Sequence, residues 1–249
     1  MRSMYRASVA AIILTALAAP LAAAPGDTAT PVYDRPVATK KAKSRKFETV
    51  CVYFPDFMLK QRTPLQGEGG PDTPAIVRSK DAPCAEGKAP GETLLKATED
   101  SASTAFAGRK GGFLVFQGSL DRNRDFVVLD AVSGRLLHTD TRGYASGIDS
   151  VDVDNGALVV RYSRDITASE SCSLMAKTKE CWARVVADKK LPAGAPTQAP
   201  AAQICAPAYK AAGAKPDQDS RLEIPVSVRI DAAGKADVKA AGPVKCDAF

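Results

Sequence analysis

The stretch that most constrains this chain is Asp154-Asn155-Gly156, set between residues 148–153 and 157–162. Asn-Gly between two runs rich in β-branched residues is the strongest short-range hairpin signal. A type I′ turn needs positive φ at both central residues, and Asn and Gly accept it at least cost. In the second run Leu158, Val160 and Tyr162 share one face by the strand period of two. The residues before it repeat the pattern. Phe113-Leu114-Val115-Phe116 and Phe126-Val127-Val128-Leu129 are short continuous apolar runs, which read as strands buried on both faces. Residues 135–139 follow a turn that Asp130 opens and Gly134 closes.

These hairpins predict an all-β, mainly antiparallel fold: a disulfide-braced β-sandwich or half-open barrel over residues 47–188. A small C-terminal disulfide-stapled hairpin unit is expected over 204–249, after a Pro/Ala linker at 189–203. In that unit residues 222–230 and 235–239 flank the turn Asp231-Ala232-Ala233-Gly234, and Pro225 assigns the first of these strands to an edge. A unit of this size buries little core, so a cysteine staple is expected to hold it. Residues 47–54 read as a strand ended by Pro55. Residues 60–92, rich in proline and glycine, read as a long loop, 92–106 as a short helix, and 181–186 as the last strand of the main domain.

The compartment follows from the N-terminus and the cysteines. Arg2 and Arg6 precede an apolar stretch and the small residues Ala22-Ala23-Ala24, the pattern of a secretory signal peptide over 1–23. No later segment has the roughly 18 apolar residues a membrane-spanning helix needs. The first cysteine is Cys51, so a lipid-modified N-terminal cysteine is not expected. Six cysteines in an exported chain are an even set in an oxidising compartment. Nearest-neighbour pairing is expected among the 15 arrangements six cysteines allow: Cys51–Cys84, Cys172–Cys181 and Cys205–Cys246. The absence of CxxC argues against a thioredoxin-type redox role.

The net charge of +6 is local. Of the 34 basic and 28 acidic side chains, eight and two lie in residues 1–46, so 26 of each remain in 47–249. That balance does not indicate a basic nucleic-acid-binding face, and none is expected. Residues 24–46 are proline-containing, basic and poor in apolar side chains, and read as a disordered tether. Its run Lys40, Lys41, Lys43, Arg45, Lys46 reads first as a solvated tail and second as weak contact with an anionic surface.

Candidate sites are few. His138 is the only histidine, so any Ser-His-Asp or Cys-His apparatus would have to use it. It shares a strand face with Leu136 and Asp140, and no GxSxG elbow accompanies it, so a structural role is expected. Asp121, Asn123 and Asp125 fall at positions 1, 3 and 5 of a calcium loop. Position 6 is Phe126 rather than Gly, position 12 is Val132 rather than Glu, and Arg122 and Arg124 bring positive charge, so the stretch reads as a polar turn. No metal and no cofactor are expected. Gly67-Glu68-Gly69-Gly70 lies in a proline-rich loop, not between a strand and a helix, and is no phosphate loop. Asp149, Asp152 and Asp154 are the acidic group a hydrolase would use.

Two short stretches resemble known families. FVVLDAVSGRLL, residues 126–137, resembles one strand–turn–strand piece of a β-propeller repeat. A propeller requires several copies, and no second copy occurs, so the piece stands as a generic hairpin. RGYASGID, residues 142–149, is similar to the Ser/Gly/Tyr loop of small β-folded lysozyme inhibitors, with its residues in another order. That similarity implies a periplasmic inhibitor or immunity protein. The leading expectation is an exported, soluble, non-catalytic binding protein of the bacterial-type cell envelope, whose partner is a protein or an envelope component. A hydrolase of envelope polymers and the inhibitor are the alternatives.

Overall fold

The computed structural model describes residues 31–65, 72–98, 105–118, 125–143, 146–188 and 191–248. Antiparallel strands make three sheets. The first carries β1 (Ala38–Lys43), β2 (Phe47–Tyr53), β3 (Met58–Pro64), β4 (Ala75–Val77) and β5 (Glu92–Leu94) in sequential order. The middle sheet carries β6 (Ala105–Lys110), β7 (Phe113–Gln117), β8 (Asp125–Asp130) and β9 (Leu136–Thr141), again in order. The third orders β10 (Ile148–Asp154), β11 (Ala157–Asp165), β12 (Ser220–Ile230) and β13 (Ala236–Ala240), with β14 (Lys245–Ala248) also paired to β12. Two helices, α1 (Thr178–Ala187) and α2 (Ala206–Ala212), lie between β11 and β12 in the chain.

The continuous apolar runs of β7 and β8 have a simple cause. Phe113, Val115, Phe126 and Val128 enter one core with Val151, Leu158, Val160 and Tyr162 of the third sheet. The alternate residues Leu114, Phe116, Val127 and Leu129 enter a second core with Phe54, Phe57, Leu59 and Ile76 of the first. The middle sheet is therefore covered on both faces, and its strands carry apolar side chains on both. Aromatic contacts mark each interface: Phe126 against Tyr162 at 4.7 Å between centroids, and Phe54 against Phe106 at 6.2 Å. The fold is all-β, mainly antiparallel and disulfide-braced, with sandwich packing occurring twice around one shared sheet.

The Asn-Gly turn has the geometry its sequence demands, with φ of 47° at Asn155 and 76° at Gly156. Val153 pairs with Leu158, and Leu158, Val160 and Tyr162 are buried. Disulfides join Cys51 to Cys84, Cys172 to Cys181 and Cys205 to Cys246, the nearest-neighbour set, and no described cysteine is free.

Several expectations are corrected. The tether expected over 24–46 contains β1, which pairs with β2 along its whole length, from Ala38 against Tyr53 to Lys43 against Glu48. Thr39, Lys41 and Lys43 need no core because they lie on the exposed face of β1, opposite the half-buried Ala38 and Ala42. Residues 60–92 are not one loop, since β3 ends at Pro64 and β4 lies inside the span. The helix expected over 92–106 is replaced by β5, a 3₁₀ turn at Lys96–Thr98 and the start of β6. Residues 181–186 are helical: Cys181, Trp182 and Val185 are buried at helical spacing, while Val186 is 45% exposed. Residues 191–203 do not separate two units. Ala193 bridges Lys239, and Trp182 donates its indole N–H to the Thr197 carbonyl at 3.4 Å.

The C-terminal unit is part of the third sheet. β12 pairs with β11 from Leu158–Ile230 to Asp165–Glu223, so it is a central strand despite Pro225. Its other edge is shared: β14 covers Ser220–Glu223 and β13 covers Val226–Ile230. The Pro225 carbonyl accepts the Ala241 amide at 2.8 Å, so the proline nitrogen faces this same edge, at the gap between the two partners. A missing N–H costs no ladder bond there.

Candidate functional site

The acidic group separates into exposed ion pairs and one half-buried carboxyl. Asp152 pairs with Arg161 at 3.2 Å and Asp154 with Arg229 at 2.6 Å, all four on the wet face of the third sheet. Asp149 sits where the β10–β11 register shifts between Ile148 and Ser150. Burial pushes its carboxyl up from the ordinary range, opposed by the charge of Lys245. Asp152 and Asp154 are held by arginines on an open sheet face, an arrangement of surface ion pairs and not of an acid and a base across a cleft.

His138 belongs to a buried polar knot between the middle and third sheets. Its Nε2 lies 3.9 Å from Asp140 Oδ2 and has no hydrogen-bond partner among the described residues. Asp140 accepts a hydrogen bond from the Tyr162 hydroxyl and one from Arg164 Nε at 3.0 Å. The Phe126 ring packs against the imidazole at 5.8 Å. Burial holds the imidazole below its ordinary value of 6.5, the Asp140 charge opposes this, and the Arg164 charge adds to it. Burial also pushes the Tyr162 phenol up, reinforced by the Asp140 charge and hydrogen bond. With Tyr162 fully buried, the knot's work is to fasten β9 to β11.

The stretch 142–149 turns its charge inward. Arg142 is buried and donates to the carbonyls of Gly118 at 2.8 Å and Ser146 at 3.0 Å. The Ser146 hydroxyl donates to Glu223 at 2.9 Å. Burial pushes the nearby Tyr33 phenol up to about 12, against the Arg142 charge. Tyr144 and Ala145 lie outside the described residues. So do Asp121 and Asn123 of the metal candidate, while Asp125 accepts the Thr141 hydroxyl at 2.6 Å. Among the described residues no three His, Cys, Asp or Glu side chains are grouped to hold a metal ion, and no helix is long and apolar enough to cross a membrane.

The basic run is brought together on a fixed edge. Lys40, Lys41, Lys43, Arg45 and Lys46 are all exposed. Lys41 pairs with Glu48 at 2.7 Å, and the Ser44 hydroxyl accepts the Phe47 amide at 3.0 Å, which closes the turn into β2. The chain before β1 is strapped down. The Val37 amide donates to the Tyr53 carbonyl at 2.8 Å and the Asp34 amide to the Arg109 carbonyl at 2.8 Å. The Gly111 amide donates to the Asp34 carboxylate at 2.7 Å. Tyr33 lies where residue 108 leaves room only as glycine, since a Cβ there would fall 2.2 Å from the tyrosine Cγ.

Sequence reasoning missed one charged pair altogether. Lys60 and Glu92 form a buried salt bridge, with side chains 4% and 9% exposed. Lys60 also donates to the Gly87 carbonyl at 2.9 Å, and Glu92 accepts the Ala89 amide at 2.8 Å. Burial opposes ionisation of Glu92, but the Lys60 and Ala89 hydrogen bonds and the charges of Lys60 and Arg62 outweigh it and hold the carboxyl below its ordinary value. The signal was the lysine's place two residues from Met58, on the face that strand alternation buries. In comparisons with known proteins, the chain matches no protein-family model, no curated protein and no solved structure.

Proposed function

We propose that the chain is an exported, non-catalytic binding module of the bacterial-type cell envelope that docks on anionic lipid head groups through the β1 edge. The observation that carries this reading is the set Lys41, Lys43, Arg45 and Lys46, exposed on β1 and the turn that follows it, with Lys40 exposed on the other face of the same hydrogen-bonded strand. Cations on a fixed edge lose less conformational entropy on docking than the same cations on a free tail. Each basic side chain near an anionic leaflet contributes about 1 kcal/mol, so several together suffice for reversible attachment. The signal-like N-terminus and the disulfide set support an oxidising, extracytoplasmic setting.

Vesicle co-sedimentation of the chain from residue 24 onward tests it. Binding is expected to vesicles rich in phosphatidylglycerol and to weaken steeply as salt rises, because the contact is screened. Replacing Lys41, Lys43, Arg45 and Lys46 together by Gln should remove most of it while the melting temperature holds. Equal binding to neutral vesicles, or full retention by the four-fold variant, overturns the reading.

A further inference from the structure

Beside β1, but facing away from Lys41 and Lys43, lies a groove of about 510 Å³. It is lined by Val37 and by Ala38 and Lys40 of β1, by Tyr53, Phe54 and Pro55 where β2 turns toward β3, and by Lys80 and Asp81. The volume falls in the range of small-molecule sites, roughly 300–1,000 Å³. Its frame is fixed on every side. The Val37 amide bonds the Tyr53 carbonyl at 2.8 Å and the Tyr53 hydroxyl bonds the Ala82 carbonyl at 2.9 Å. The Phe54 amide closes the turn onto the Phe57 carbonyl at 2.8 Å, and the Cys51–Cys84 bridge ties β2 to the segment that follows Asp81.

The lining is of two kinds. Val37 is 71% exposed, an apolar side chain left standing at the rim of a concavity, and Pro55 is exposed beside it. Lys40 holds its ammonium 5.0 Å from the centre of the Tyr53 ring, which places the charge at the groove. Neither Lys40 nor Lys80 has an acidic partner within ion-pair distance among the described residues. Two ammonium groups against one carboxylate, Asp81, leave the groove with a net positive charge beside apolar side chains, which complements an anion that carries a hydrocarbon part. A purely polar anion would leave Val37 and Pro55 in water, and an uncharged hydrocarbon would leave that net charge unmatched.

We propose that this groove binds a small amphiphilic anion. Lys40 and Lys80 hold its phosphate or carboxylate, and Val37, Pro55 and the ring edges of Tyr53 and Phe54 take its hydrocarbon part. The site goes beyond surface docking, because Lys80, Val37 and Pro55 lie outside the basic row. Asp81 sets the charge the groove accepts: a second anionic group on the ligand would meet it and be disfavoured.

Titration of hexyl phosphate into the isotopically labelled chain, followed by amide chemical shifts, tests the site, with inorganic phosphate and hexanol as separate arms. Saturable shifts are expected at residues 37–40, 53–55 and 80–81, with affinity at least tenfold above either component alone. Lys80→Gln should weaken binding about tenfold, and Val37→Asp should abolish it, both with an unchanged melting temperature because both positions are exposed. Hexyl phosphate that binds no better than inorganic phosphate overturns the proposal, as does a Lys80→Gln chain of wild-type affinity. The vesicle assay separates the two readings and the two sources of the anion. If only free amphiphiles use the groove, Lys80→Gln sediments like wild type; if the groove takes lipid head groups, it sediments less. Both results require the hexyl phosphate site, and loss of the four edge cations leaves that site intact.

Discussion

His138 is the residue whose environment makes the sharpest prediction. Its imidazole faces Asp140 on its own strand, Tyr162 and Arg164 on β11, and Phe126 on β8. Because burial lowers its folded-state value below 6.5, the unfolded chain takes up the proton first. Stability from this group is therefore complete above about pH 6.5 and is lost as pH falls through the lower folded-state value. His138→Gln should flatten that part of the profile, so the gap between wild-type and variant melting temperatures should narrow from pH 7 toward pH 5. A gap that stays constant over this interval shows that the imidazole is not held neutral by the fold. The Lys60–Glu92 pair gives a second test. Lys60→Met leaves Glu92 buried without its cation and should cost roughly 3–5 kcal/mol in a urea melt. Adding Glu92→Leu should restore most of the loss, because two charges are then removed together. Sequence placed His138 correctly beside Asp140, since alternation is local. It could not place Tyr162 or Arg164 there, because they arrive from another sheet.

At the scale of elements, legibility followed the turns. The β10–β11 hairpin was readable because Asn155 and Gly156 encode their own backbone geometry. An added Cβ at Gly156 would meet nothing within 4 Å, so what opposes a β-carbon there is the positive φ of 76°. Gly156→Val should cost on the order of 1–3 kcal/mol by urea denaturation, and Gly156→Asn should be nearly silent, since Asn tolerates the left-handed region. A silent Val variant would mean that the turn does not set the register of Leu158, Val160 and Tyr162. Where no turn residue spoke, reading failed. Cys181-Trp182-Ala183-Arg184-Val185-Val186 fits a buried strand and a one-sided helix equally well, and packing of Cys181, Trp182 and Val185 into the core decides for the helix. β4 and β5 have three residues each, too few for a period to show. The basic row of the candidate site was visible as composition, but its placement on an edge strand was not. Ala38 and Ala42 are the only hints of an inward face, and β2 supplies the rest.

For the whole molecule, the question is what joins three sheets that no single disulfide spans. Cys51–Cys84 closes within the first sheet's segment, Cys172–Cys181 at the entry to α1, and Cys205–Cys246 between the α2 region and β14. The interfaces rest on the two apolar faces of the middle sheet and on the strap ahead of β1. That strap meets the middle sheet through Tyr33 on Gly108, Asp34 on Gly111 and Lys110 on the Val32 carbonyl, and then becomes the outer strand of the first sheet. Deleting residues 31–46 should therefore uncover the space over Gly108 and leave β2 as a bare edge with Val50, Val52 and Tyr53 on it. The melting temperature should fall by at least about 5 °C, since at this chain length each kcal/mol lost is worth roughly 2–4 °C. Soluble aggregates should appear in size-exclusion chromatography, because an unprotected edge strand recruits further strands. A truncated chain that stays monomeric with its melting temperature intact would show that the strap is carried by the fold without supporting it. Replacing Lys41, Lys43, Arg45 and Lys46 by Gln instead keeps every β1 backbone bond and removes only charge. The deletion thus reports on the stack of sheets and the charge substitution on surface attachment, and the two losses should be separable in one chain.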